Sequence, residues 1–128
     1  MAMPVSQQPC SARKMLLLVV EDDAEMREEL KGLLEQDGYR VLMVDDGQGA
    51  LSVLGQLKPH LVLLDLMMPV VSGWEVMAVI DQTPALSSVP VVVMSAYAHQ
   101  APPNVAHVLK KPFSGDELLK VVGRICAK

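Results

Sequence analysis

Four short apolar runs in this sequence each stop on a residue carrying charge or a hydroxyl. Residues 15–20 run into Glu21 and Asp22, 61–64 into Asp65, 91–94 into Ser95, and 108–109 into Lys110 and Lys111. Such runs, rich in Val and Leu, read as strands buried on both faces. Patterned helical stretches alternate with them. That alternation implies a parallel sheet covered by helices on both sides, joined by right-handed crossovers. In an open parallel sheet the carboxyl ends of the strands meet at one edge, where ligands bind. The pattern alone therefore gathers two acids, a lone Asp, a hydroxyl and a lysine around one crevice.

The helices are legible in the spacing. Residues 24–36 place Met26, Leu30, Leu33 and Leu34 on one face, and Asp37-Gly38 ends the helix. A second strand at 40–44 leads to a helix at 49–57 through Ala50, Val53, Leu54 and Leu57, closed by Pro59. After the third strand, 60–64, Ser72 and Glu75 fit a capping box that opens a helix at 73–82. Its inward face is expected on Val76, Val79 and Ile80. The fourth strand spans 89–94. Ser114 and Glu117 fit a second capping box for a last helix that runs to about residue 127 on Leu118, Val121, Val122 and Ile125. The stretch 96–106 between the last two strands is short for a parallel crossover and contains Pro102-Pro103. At most a turn or so of helix fits there, near 97–100.

With 128 residues, half of them apolar, the chain suits one domain with a real core. One Trp, two Tyr and one Phe leave that core to Val, Leu, Met and Ala. Residues 1–13, with Pro4 and Pro9, are expected as a flexible tail, and 14–128 as the domain. A net charge of −4 without a basic run gives no reason to expect nucleic acid or an anionic membrane as partner. No run approaches the ~18 apolar residues of a membrane span. Residues 15–20 are too short for a signal peptide core, and acids follow them. A cytoplasmic protein is expected. Cys10 and Cys126 read as free thiols, with a disulfide between them as the weaker alternative.

The residues at the strand ends suit phosphoryl transfer to a carboxylate. Mg²⁺ takes oxygen ligands, commonly one or two carboxylates with water and phosphate. Asp22 and Asp65 can supply carboxylates, and Glu21 can act directly or through water. Clustered acids repel one another, so such a site gains by binding a divalent cation. One carboxylate acts as nucleophile, Lys111 neutralises a phosphoryl oxygen, and the Ser95 hydroxyl hydrogen-bonds another. By the bland reading, Asp23 simply caps the first helix, and Lys110 is a solvated neighbour of Lys111.

Taken together, Leu18-Val19-Val20-Glu21-Asp22-Asp23, Leu64-Asp65-Leu66-Met67-Met68-Pro69 with Gly73, Met94-Ser95-Ala96 and Lys111-Pro112-Phe113 resemble the signature blocks of the receiver domain of bacterial two-component response regulators. The resemblance covers about residues 14–128. It implies a flavodoxin-like, doubly wound sheet of five parallel strands in the order 2-1-3-4-5. It also implies that Asp65 accepts a phosphoryl group from a sensor histidine kinase. Mg²⁺ would lie on Glu21, Asp22, Asp65 and the backbone carbonyl of Met67. Ser95 would be the switch hydroxyl, and Lys111 the family's lysine, with Pro112 after a cis peptide. The output would be a change of conformation that controls a downstream protein.

Two departures bear on that output. The family's switch aromatic falls on Val108, which has no ring to swing, and the crossover at 96–106 shortens the family's fourth helix. The signal is therefore expected to leave through backbone movement of residues 95–103. Alternative readings are a receiver piece of a hybrid kinase or phosphorelay, a haloacid dehalogenase-type phosphatase, a flavodoxin-type flavin binder and a receiver kept only as a scaffold. The phosphatase would need an acid two residues after Asp65, where Met67 stands. The flavin binder would need a hydroxyl-rich loop where Glu21-Asp22-Asp23 stands. The expected protein is a switch that catalyses its own phosphorylation and slow dephosphorylation, not a metabolic enzyme.

Overall fold

The structure, a computed structural model, describes residues 15–68, 71–97, 101–102 and 104–126. Its elements in chain order are β1 (Leu16–Val20), α1 (Ala24–Gln36), β2 (Arg40–Val44), α2 (Gly47–Leu54), β3 (Leu61–Asp65), α3 (Gly73–Gln82), β4 (Val91–Ser95), β5 (His107–Lys110) and α4 (Gly115–Cys126). The five strands form one sheet in the order β2-β1-β3-β4-β5, and every pairing is parallel. This is the flavodoxin-like arrangement that the resemblance implied.

Strand alternation divides the core between the two faces. Leu17, Val19, Leu61, Leu63, Val92 and Met94 point to the side of α1 and α4, where Leu30, Leu34, Leu118 and Val122 meet them. Leu18, Val20, Val62, Leu64, Val91 and Val93 point to the side of α2 and α3, against Ala50, Leu54, Val76 and Ile80. The three central strands are buried almost throughout, which is why they read as unbroken apolar runs.

Local signals explain most boundaries. Asp23 caps α1 by accepting from the amides of Glu25 and Met26. At its other end Gly38 takes a φ of 97°, and the Tyr39 amide turns back to the Leu34 carbonyl. The capping box of Ser72 and Glu75 is present in both directions. Ser114 accepts from the Glu117 amide at 3.0 Å, the forward half of the second box. The Lys111–Pro112 peptide is cis.

Two expectations change. α2 begins at Gly47, because Asp46 accepts from the Gly49 amide and caps it two residues early, and it ends at Leu54. On α3 the buried stripe is Gly73, Val76, Met77 and Ile80, at helical spacing, while Val79 is 39 % exposed. No helix lies between β4 and β5 among the described residues. The expected turn near 97–100 falls largely outside them, as do residues 1–14 and Cys10. The Cys126 thiol is free and buried.

α3 meets β3 without a side chain between them. A methyl on Gly73 would strike the Asp65 carbonyl oxygen and lie 2.6 Å from Leu66 Cα. Gly32, in the middle of α1, has open space where its methyl would go. In urea titrations, Gly73→Ala is expected to cost about 1–3 kcal/mol through overpacking. Gly32→Ala is expected to add about 0.5–1 kcal/mol.

Candidate functional site

The strand register delivers the polar residues to one edge in steps. Val20 pairs with Leu64, so Glu21 and Asp65 leave the sheet side by side. Asp65 pairs with Met94, which puts Ser95 one residue further along β4. Ser95 pairs with Lys110, and the Lys111 amide donates to the Ser95 carbonyl at 2.9 Å. The apolar strands bury the roots of these side chains. Glu21, Asp65 and Ser95, 1 %, 3 % and 2 % exposed, are the buried polar residues beneath the cleft, and Asp22 stands exposed at its rim.

Lys111 holds the centre. Its Nζ lies 2.9 Å from Glu21 Oε1 and 3.7 Å from Asp65 Oδ2. The tighter partner is therefore Glu21, whose other carboxylate oxygen accepts from the Asp23 amide at 3.2 Å. Asp65 Oδ1 accepts from the Met67 amide at 3.1 Å. Burial, and then the neighbouring Glu21, push the Asp65 carboxyl up to about 7, against the opposing pull of Lys111. Ser95 Oγ accepts from the Tyr97 amide at 2.9 Å.

Glu21, Asp22 and Asp65 each offer a carboxylate oxygen, all within 4.8 Å of one another. A cleft of about 400 Å³ opens over them, walled by Met67, Tyr97 and Lys111. When all three acids are ionised, Lys111, the cation paired with their carboxylates, leaves the cluster net negative. Hard oxygen donors with that excess fit a divalent cation such as Mg²⁺. The structure thus brings Glu21, Asp22, Asp65 and Lys111 together around the cleft, while Ser95 is buried at the neighbouring strand end with its Oγ on the Tyr97 amide. Met67 stands at the cleft mouth, its side chain exposed.

Two contacts had no counterpart in the sequence pattern. Glu21 and Lys111 are 90 residues apart, and nothing local marks them as a pair. Arg27, one charged residue among many on α1, donates Nη1 to the carbonyls of Glu21 at 2.9 Å and Asp22 at 3.1 Å. Val108 is half-buried and packs with Ala101 and Val105 against the core beneath α2 and α3.

Comparison with known proteins bears on the same residues. The family model of the response regulator receiver domain matches residues 17–123. Response regulator RR06 of Streptococcus pneumoniae is 38 % identical over 119 residues, covering 88 % of this chain and 52 % of that protein. The chain thus spans about half the length of RR06, and likewise of the probable transcriptional regulator ycf29 of Pyropia yezoensis, of which 53 % is covered at 29 % identity. Among solved structures, the receiver domain of the sensor histidine kinase PA1611 from Pseudomonas aeruginosa, which has magnesium coordinated in its active site cleft, is 26 % identical with a TM-score of 0.81. The two chains are covered to 89 % and 98 % respectively. Response regulator TrrA of Thermotoga maritima, in complex with Mg²⁺ and BeF, is 30 % identical with a TM-score of 0.78, covering 87 % and 98 %.

The raised Asp65 carboxyl sets a pH dependence. Below about pH 4, Asp65 is protonated in folded and unfolded chains alike. As the pH rises towards 7 only the unfolded chain loses this proton, so stability falls until the folded carboxyl also ionises. In metal-free urea titrations, Asp65→Asn is expected to be about 2 kcal/mol more stable than wild type at pH 8. That gain should shrink towards zero at pH 4.

Proposed function

This chain belongs to the response regulator receiver domain family, and from that we propose that it is a phosphorylatable switch charged on Asp65 by a sensor histidine kinase, with Mg²⁺ as cofactor. The observation that carries the reading is the near-complete burial of Asp65 between a lysine and two further acids, at the foot of an open cleft. An isolated structural carboxylate gains nothing from such surroundings, whereas a nucleophile gains a fixed orientation.

In the proposed step an Asp65 oxygen attacks phosphorus. A P–O bond forms as the P–N bond to the kinase's imidazole breaks, and the electron pair leaves on that nitrogen. Mg²⁺, held by Glu21, Asp22 and Asp65 with the Met67 carbonyl, would offset the charge shared by the carboxylates and the phosphoryl oxygens. Lys111 lies within a short swing of Asp65 and would follow the new charge, giving up part of its hold on Glu21. Ser95 would turn its hydroxyl to a phosphoryl oxygen. Hydrolysis would then be the slow attack of water on phosphorus, with the Asp65 carboxylate leaving. The protein would catalyse both steps upon itself without turning over a metabolite.

Met67 at the second position after Asp65 has no proton to give a leaving group, which sets this reading above a dehalogenase-type phosphatase. The magnesium in the PA1611 receiver and the Mg²⁺–BeF complex of TrrA support the cofactor assignment. Those relatives are one kinase-borne receiver and one response regulator, and the chemistry proposed here serves either setting. No helix among the described residues is long and apolar enough to cross a membrane. We place the switch in the cytoplasm, acting on a protein partner rather than on nucleic acid directly.

The output would begin at Ser95. Its Oγ now holds the Tyr97 amide, and a hydroxyl drawn to the phosphoryl group gives that bond up. The backbone of residues 95–103 would then carry the signal in place of an aromatic ring at Val108. Binding of beryllofluoride with Mg²⁺ is expected to shift the Tyr97 amide resonance strongly; a fixed resonance would remove this route. For the chemistry, acetyl phosphate is expected to label wild type in Mg²⁺, but neither Asp65→Ala nor wild type in EDTA. Labelling of Asp65→Ala at the wild-type level would overturn the assignment.

A further inference from the structure

The two acids at the end of β1 sit in a loop whose backbone is fixed from outside itself. Arg27, in the first turns of α1, donates one guanidinium nitrogen to the carbonyls of both Glu21 and Asp22. Those carbonyls belong to the residues whose side chains lie in the acidic cluster. The Glu21 carboxylate has its own ties, to Lys111 Nζ at 2.9 Å and to the Asp23 amide at 3.2 Å. The Glu21 amide holds the Val44 carbonyl at 3.2 Å, and Asp23 is occupied with capping α1. Asp22 is exposed and lies beyond the end of β1. Its direction is set by its backbone, and Arg27 holds that backbone.

We propose that Arg27 is a positioning residue for the cation site, aiming the Asp22 carboxylate and steadying the backbone of Glu21 by clamping their peptide carbonyls to α1. This rests on the reading of the acidic cluster as a Mg²⁺ site. A charge-assisted hydrogen bond that one guanidinium shares between successive carbonyls fixes the orientation of two peptide planes at once. Arg27 is not among the residues that line the cleft, so it acts through the loop.

The proposal makes a prediction opposite in sign to simple electrostatics. Arg27 is a cation close to an acidic cluster, so removing its charge alone would make the cluster more negative and tighten Mg²⁺ binding. If Arg27 orders the ligands, removing it weakens binding. The experiment is calorimetric titration of the full chain with Mg²⁺ alone, for wild type, Arg27→Met and Arg27→Lys, with circular dichroism in EDTA to check folding. Arg27→Met is expected to bind Mg²⁺ about tenfold more weakly, the range seen when outer partners of metal ligands are lost. Arg27→Lys keeps the stem and the charge but loses the planar fork, and is expected to fall between the two. That variant decides the matter should Arg27→Met fail to fold.

Equal or tighter binding by a folded variant overturns the role of Arg27 and leaves the Mg²⁺ reading standing. Absence of Mg²⁺ binding in wild type overturns both. A merely structural Arg27 would lower the melting temperature in EDTA without moving the Mg²⁺ affinity of the folded fraction, and that result also counts against the proposal.

Discussion

One ammonium facing three carboxylates is the constraint on which the rest of the site depends. Lys111 reaches Glu21 closely and Asp65 at longer range, so its charge is divided between them. A lysine committed wholly to Asp65 would favour the ionised acid and hold it low; the divided one leaves burial and Glu21 to push it up to about 7. Folding thus leaves an unfavourable concentration of negative charge at the end of a well-packed sheet. The parallel strands can sustain it because their apolar faces are buried on both sides, and the cost is local. The same excess is what fits the cleft to a divalent cation.

How much of this could be read from the letters depends on the range of each interaction. The strands and the polar residues that end them were legible, because a buried parallel strand is an unbroken apolar run and its terminus is marked by the first residue that cannot be buried alone. So were the caps at Asp23 and Ser72, which act over two or three residues. The strand order leaves no mark in the periodicity; only the family resemblance implied it. On α3 the cluster Val76, Met77, Val79 and Ile80 offers more apolar residues than one face can hold, and only packing chose Met77 over Val79. The apolar spacing that begins at Ala50 starts α2 at Gly49, whereas the Asp46 side chain, accepting from the Gly49 amide, starts it at Gly47.

The contacts between distant residues were the least legible. Glu21 with Lys111 and Arg27 with two backbone carbonyls leave no periodic trace, since each joins a side chain to whatever the fold brings near. Chemistry at strand ends is therefore visible in the sequence as a set of residue types. The way their charges are shared is visible only in three dimensions. Val108 shows the complement: the letter alone marks the loss of a ring, and its packing against the core on the side of α2 and α3 shows what that position does instead.

The absent side chain at Gly73 has a mechanical consequence. Ordinarily a flexible methyl or longer group cushions a helix against the strand it follows, and small displacements are absorbed by rotamers. Here the first residue of α3 meets the peptide of Asp65 itself, backbone on backbone, with the capping box of Ser72 and Glu75 stiffening the same turn. Bare peptide has no rotamer to yield. A shift of the Asp65 carbonyl would therefore press on the α3 backbone directly, with no side chain between them to absorb it.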